Sequence, residues 1–310
     1  MDVDLSKGFP SRRPAGVYRM RLALHLNNYT HLGRPEDMGS ALARVARKAE
    51  EVGFARLSVT DHLWQISMIG EENEPMLEAY TTLAFIAGNT SSIELQTLVT
   101  AATYRAPGLL GKMVTTLDVL SGGRAWLGIG TGWNEQEATG LGLPFDGHDG
   151  RYHRLEDTIR ICLQMWSGSS EPFVSPTFQL GSTLTVPPPV SQPRPRILVG
   201  GGGELRTLKL AAKYADAMNI WGGPDADPGQ KVMRLNERCH EIGRDPNEIE
   251  KTALLPFTVG GPEGVDGLLR RLRELHELGF TTAYGTVPRI RSEDQLEVFG
   301  AQVIPEVSSW

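Results

Sequence analysis

Two segments near opposite ends of this 310-residue chain repeat one unit, and the repeat limits the possible folds more than any other feature. Met38, Ala41, Leu42, Val45, Ala46, Ala49 and Val52 recur at helical spacing. Gly53 then supplies a left-handed stop, and Phe54 leads into an apolar strand from Ala55 to Thr60. Val265, Leu268, Leu269, Leu272, Leu275 and Leu278 precede Gly279, Phe280 and the strand Thr281 to Thr286 in the same order. Strand and helix alternate between the copies: Ile93 to Val99 then Leu109 to Leu120, Arg124 to Ile129 then Tyr152 to Trp166, and Arg196 to Val199 then Leu205 to Tyr214. Ala217 to Ile220 then Lys231 to Ile242, and the strand Lys251 to Thr258, complete the series; Arg21 to Leu26 opens it. About eight strands, each followed by a helix, demand parallel pairing with right-handed crossovers, and a TIM (β/α)8 barrel of the α/β class is the simplest closure.

One segment breaks the rhythm. Ser167 to Pro195 carries Pro172, Pro176, Pro187, Pro188, Pro189, Pro193 and Pro195, which excludes a helix interior. It reads as an insertion ahead of the fifth strand, with Phe173-Val174 and Leu184-Thr185-Val186 forming a small hairpin. Residues 1–19, with Pro10, Ser11, Arg12, Arg13 and Pro14, read as a disordered extension, and residues 20–310 as a single domain.

A net charge of -6 without a Lys/Arg cluster argues against a nucleic-acid partner. No apolar run approaches the roughly 18 residues that span a bilayer. Cys162 and Cys239 lie far apart within helical patterns, so neither a disulfide framework nor a zinc site is expected, and a reducing cytoplasm fits. P-loop, HExxH, GxSxG and EF-hand patterns are all absent from the sequence, and no metal is expected.

In a TIM barrel the chemistry sits beyond the C-terminal ends of the strands. The second strand leads into Asp61, His62 and Trp64, and the third into Thr100, Thr103, Tyr104 and Arg105. The fourth ends in Gly128, Gly130, Thr131, Gly132, Trp133 and Asn134, the fifth in Gly200, Gly201, Gly202 and Gly203, and the sixth in Asn219 and Trp221. His62 can exchange a proton near neutral pH, with Asp61 beside it; His25, near the end of the first strand, is the weaker candidate. Gly128 and Gly130 serve either tight barrel packing or the close approach of a backbone or flat ligand. Four glycines ahead of Glu204, Leu205, Arg206 and Thr207 put a flexible loop at a helix N-terminus, where free N–H groups attract phosphate. Trp64, Trp133 and Trp221 wall a pocket for a conjugated ligand or pack as loop roots, and Ile66, Met68, Ile69, Met76 and Leu77 lie where an apolar lid would fold.

Taken in order, these motifs resemble the bacterial luciferase-like superfamily, and within it the branch that uses the deazaflavin coenzyme F420. The resemblance rests on Thr60-Asp61-His62, Leu98-Val99-Thr100 with Tyr104-Arg105-Ala106-Pro107, and Ser121-Gly122-Gly123-Arg124 leading into Leu127 to Trp133. Arg151 to Glu156 and Ile197 to Gly202 complete it. It implies a barrel with an insertion, commonly homodimeric, that holds F420 or FMN. It also implies a non-prolyl cis peptide in the third strand, here at Thr97-Leu98. On the same basis Asp61 and His62 lie near the ring. Thr97, Leu98, Thr100, Gly128, Gly130, Thr131 and Asn134 contact it, and Gly200 to Gly203 bind the coenzyme phosphate. Relatives that oxidise sugar phosphates carry an acid where this chain has Trp133, which points to a more apolar small-molecule substrate. The implied activity is hydride transfer between F420 and that substrate, reducing a C=N or C=C bond. An FMN-dependent monooxygenase and a non-catalytic flavin-binding protein are the alternatives.

Overall fold

The computed structural model describes residues 19–260, 263–288, 290 and 293–310. Apart from Arg19, the expected N-terminal extension lies outside them. The strands are β1 (Arg21–Leu26), β2 (Arg56–Val59), β3 (Glu94–Thr97), β4 (Thr100–Ala101), β5 (Ala125–Gly130), β6 (Phe173–Val174), β7 (Gln179–Leu180), β8 (Arg196–Gly200), β9 (Ala217–Trp221), β10 (Glu250–Pro256) and β11 (Thr282–Thr286). All but β6 and β7 form one parallel sheet in the order β3-β2-β1-β11-β10-β9-β8-β5-β4, and pairing of β3 with β5 closes it into a barrel. β3 and β4 occupy one barrel position, interrupted at Leu98-Val99, so eight positions result.

The helices are α1 (Pro35–Glu51), α2 (Ala79–Ala87), α3 (Pro107–Ser121), α4 (Glu135–Gly140), α5 (His148–Trp166), α6 (Thr207–Tyr214), α7 (Pro228–Glu241), α8 (Gly264–Glu277) and α9 (Ile304–Val307). Among them α2 and α4 escape periodicity. In α2 the run Ala79 to Ala87 is apolar on most sides and shows no stripe, yet Glu78 caps it by accepting hydrogen bonds from the N–H groups of Tyr80 and Thr81. At six residues α4 is too short to repeat. Along α5 the spacing predicts a core face of Leu155, Ile159, Cys162, Leu163 and Trp166; all are buried except Leu163, which is half-buried. The insertion corrects one expectation: Phe173-Val174 pairs with Gln179-Leu180, not with residues 184–186. Ser175 Oγ accepts hydrogen bonds from the N–H groups of Thr177 (3.2 Å) and Phe178 (3.0 Å), which closes the turn before Gly181 is reached.

Charged and aromatic groups at the strand starts close the N-terminal mouth. Arg56 is fully buried, with Nε 2.8 Å from Glu94 Oε2 and its guanidinium 3.8 Å above the Trp126 ring. Glu250 takes hydrogen bonds from Arg21 (2.8 Å) and Thr282 (2.5 Å), and Tyr284 donates to Gln96 (2.7 Å). The opposite mouth is open: Val99, Gly200 and Leu254 are half-buried although their neighbours along the sheet are covered. Among the described residues no helix is long and apolar enough to cross a membrane.

Candidate functional site

The open mouth is shaped around the interruption after β3. The regular ladder with β2 runs through the Val59–Thr97 pair and the Leu98 N–H still donates to the Val59 carbonyl (2.9 Å), so the chain departs from it only beyond Leu98. The non-prolyl cis bond is accordingly Leu98-Val99, one residue past the expected Thr97-Leu98. A directed chain of hydroxyls braces the departure. Thr97 Oγ1 donates to the Gly128 carbonyl (2.8 Å) and Thr100 Oγ1 donates to Thr97 Oγ1 (3.0 Å), which leaves Tyr80 as the donor to Thr100 (2.9 Å). A Cβ on Gly128 would lie 1.8 Å from the Thr97 carbonyl oxygen, so this glycine serves the approach of a backbone. A Cβ on Gly200 would lie 2.7 Å from Val99 Cγ1, and one on Gly130 3.0 Å from Val99 Cγ2. Gly130 and Gly200 therefore make room for Val99 in the mouth. Thr131 follows, half-buried, before Gly132 turns the chain at φ 77°.

The sequence reading missed the residue at the centre of the site. Glu137, fully buried on α4, collects donors from three strand ends. His62 Nδ1 lies 2.7 Å from Oε2, which also accepts from Tyr104 Oη (2.6 Å) and Asn134 Nδ2 (3.1 Å). Oε1 accepts from the backbone N–H groups of Leu63 and Trp64, the latter at 3.0 Å. Burial opposes the charge on Glu137, but the bonds from His62, Tyr104 and Leu63 outweigh it and hold the carboxyl below its ordinary range. Burial and the adjacent Glu137 push the Tyr104 hydroxyl well above its usual range, so it stays a donor. The spacing Asn134-x-x-Glu137 is the one sequence signal for this arrangement. Asn134 Oδ1 does accept from the Glu137 N–H (3.3 Å), while the Glu137 side chain turns into the barrel mouth.

Asp61 is engaged elsewhere. Arg105 holds its fully buried carboxylate from Nη1 and Nη2, bonds Glu78 from Nη2, and stacks 4.8 Å over the Tyr80 ring. The carboxylate in contact with His62 is thus Glu137 and not its sequence neighbour. His25 is also buried, with Nδ1 2.9 Å from Ser58 Oγ; burial pushes its pKa down to about 4 against the bond to Ser58.

Gly201, Gly202 and Gly203 are exposed ahead of α6. A Cβ on Gly203 would come within 2.8 Å of Thr207 Oγ1 and 3.0 Å of Tyr152 Oη, and those two hydroxyls are 2.8 Å apart. The result is a cradle of bare backbone with two hydroxyls at a helix start. Arg206 turns aside to Asp149 (2.6 Å). Trp133 is 55% exposed with its ring edge-on to His62 at 5.4 Å, and Trp221 is 51% exposed. Trp64 packs on Gly140 of α4, with a cavity of about 310 Å³ on the side of Glu71, Glu72 and Asn73. Met68 is 77% exposed, whereas Ile66 is buried, so the expected lid residues divide between surface and core.

The sequence profile of the luciferase-like monooxygenases matches residues 22–282. The chain belongs to that family. An F420-dependent hydroxymycolic acid dehydrogenase of Mycobacterium tuberculosis is 32% identical over 225 residues, which span 69% of this chain but 58% of that protein. An F420-dependent glucose-6-phosphate dehydrogenase of Kineococcus radiotolerans is 31% identical over 214 residues, 68% of this chain and 61% of its own. Among solved structures, the coenzyme F420-dependent tetrahydromethanopterin reductase of Methanopyrus kandleri shares the fold. It has a TM-score of 0.77 at 18% identity and covers 93% of this chain and 99% of its own.

Proposed function

We propose that the protein is an F420-dependent oxidoreductase that moves a hydride between the deazaflavin and a small organic molecule. The observation that carries this reading is an imidazole at a barrel mouth, His62, anchored at Nδ1 to a buried carboxylate with its other edge free to face a ligand. The relatives named for F420 support the choice of coenzyme.

The residues present fit such a group. The backbone of Gly201 to Gly203, preceded by Gly200, with the hydroxyls of Tyr152 and Thr207, would hold its phosphate. Leu98, Val99, Gly130 and Thr131, braced from behind by Thr97, Thr100 and Gly128, would face its ring. Bound there, the deazaflavin supplies or accepts the hydride. The protein's own part is to orient the substrate, exclude water and move the accompanying proton at His62 Nε2. Asp61 and Arg105 brace the end of the second strand next to His62 in the chain, and Asn134 sets the start of α4.

We further read the substrate as an apolar molecule reduced at a C=N or C=C carbon. Trp64, Trp133 and Trp221, just past strand ends, support the apolar part of this reading with aromatic surface, and the exposed Met68 thioether follows Trp64 in the same loop. The test is anaerobic oxidation of reduced F420 against a panel of cyclic imines and enones. His62→Ala is expected to slow turnover roughly 100-fold while coenzyme affinity is kept. Oxygen uptake with reduced FMN and hydroxylation of the substrate would contradict the proposal.

A further inference from the structure

We infer that Glu137 is the positioning residue for His62: its buried carboxylate fixes the Nδ1–H tautomer and leaves Nε2 as the atom offered to the substrate. The inference rests on the reading of His62 as the proton-handling group. All the other neighbours bonded to this carboxylate are donors: the Tyr104 hydroxyl, the Asn134 amide and the Leu63 and Trp64 N–H groups. The Asn134 amide is oriented independently, since its Oδ1 accepts from the Glu137 N–H. An ionised carboxylate only accepts, so His62 Nδ1, at 2.7 Å, must carry the proton. Glu137 is 0% exposed and holds the Nδ1 edge, so the 14% exposure left to the imidazole is on the part of the ring turned away from it, which holds Nε2.

The same residue ties proton transfer to the substrate wall. Its Oε1 fixes the Trp64 backbone, and the Trp64 ring lies on Gly140 of the same helix, where a Cβ would come within 2.3 Å of Cη2. One carboxylate thereby sets the orientation of His62 and the root of Trp64.

The experiment is ¹⁵N-detected histidine NMR of the coenzyme-free protein, which reports the tautomer of neutral His62 directly, with His62→Ala assigning the signal. The expected result is Nδ1–H in the wild type. In Glu137→Gln the amide NH2 must meet a donor on one side or the other. Turning it toward the imidazole forces Nδ1 to accept, so the tautomer is expected to switch to Nε2–H. The turnover number is expected to fall roughly 10- to 100-fold, with coenzyme Kd unchanged. Tyr104→Phe removes one donor and adds none, so it is expected to keep Nδ1–H. An Nε2–H wild type, or Glu137→Gln retaining Nδ1–H, would overturn the inference. Should Glu137→Gln fail to fold, the wild-type tautomer and the Tyr104→Phe spectrum still decide it. Full activity of His62→Ala beside an Nδ1–H spectrum would instead overturn the functional reading of His62.

Discussion

Arg105 grips Asp61 through two parallel hydrogen bonds, Nη1 to Oδ2 at 2.6 Å and Nη2 to Oδ1 at 3.0 Å. The pair joins the end of β2 to the segment after β4, and Nη2 continues to Glu78 at the head of α2. Removing one partner of a buried bidentate pair leaves the other charge poorly compensated, which costs about 3–5 kcal/mol. Glu78 still meets Arg105, so Asp61→Ala is expected to lower unfolding stability toward the low end of that range, read by urea denaturation. A change within about 0.5 kcal/mol would show that the pair does not frame the site.

His25 gives a pH signature. Its folded pKa, about 4, is below the unfolded value near 6.5, so the unfolded chain binds more protons between them. Stability is therefore expected to fall as pH drops through that window, by roughly 3 kcal/mol if the whole shift is expressed. Glu78 and Glu137 are shifted downward as well, in a more acidic window: their stabilisation is present above the unfolded carboxyl range and is lost only as pH falls below it. Urea midpoints measured across this range should decline for the wild type and stay flatter for His25→Gln. Parallel declines would contradict the assignment.

Gly200 and Val99 form a steric pair. The Cβ added in Gly200→Ala would press on Val99 Cγ1 at 2.7 Å, and overpacking of this kind costs about 1–3 kcal/mol. Val99→Ala in the same chain removes both offending methyl groups. The double variant is therefore expected to recover part of the stability and coenzyme affinity lost in Gly200→Ala, a coupling that a double-mutant cycle measures. Strict additivity would refute the contact.

The barrel was legible because its strands and helices alternate with apolar periodicity and glycine stops. The order of the strand-end motifs carried the family. Features set by tertiary contacts were not legible. Asp61 precedes His62 in sequence, but the arginine facing it lies on another strand end, and the acid that reaches His62 arrives from α4. Adjacency in sequence favoured the wrong carboxylate. Gly128 likewise could not disclose whether its bare face met a ligand or the Thr97 carbonyl; the 1.8 Å separation decides it. The cis bond lies one residue beyond the expected place, where Leu98 is still bonded through its N–H to the Val59 carbonyl, a cross-strand contact that the motif does not disclose.

Trp133 separates substrate from coenzyme effects. Its exposed ring stands edge-on to His62, so Trp133→Ala is expected to raise KM for an apolar substrate roughly tenfold, about 1.4 kcal/mol, with coenzyme affinity kept. Steady-state kinetics at saturating coenzyme would read this. An unchanged KM would remove Trp133 from the substrate wall.

Parallel binding titrations with oxidised F420 and FMN, followed by tryptophan fluorescence, test whether this mouth holds F420. The expected result is micromolar quenching by F420, much weaker binding of FMN, and roughly tenfold lower F420 affinity in Gly203→Ala, whose Cβ would enter the cradle beside Thr207 and Tyr152. Preference for FMN, or binding of neither, would contradict it.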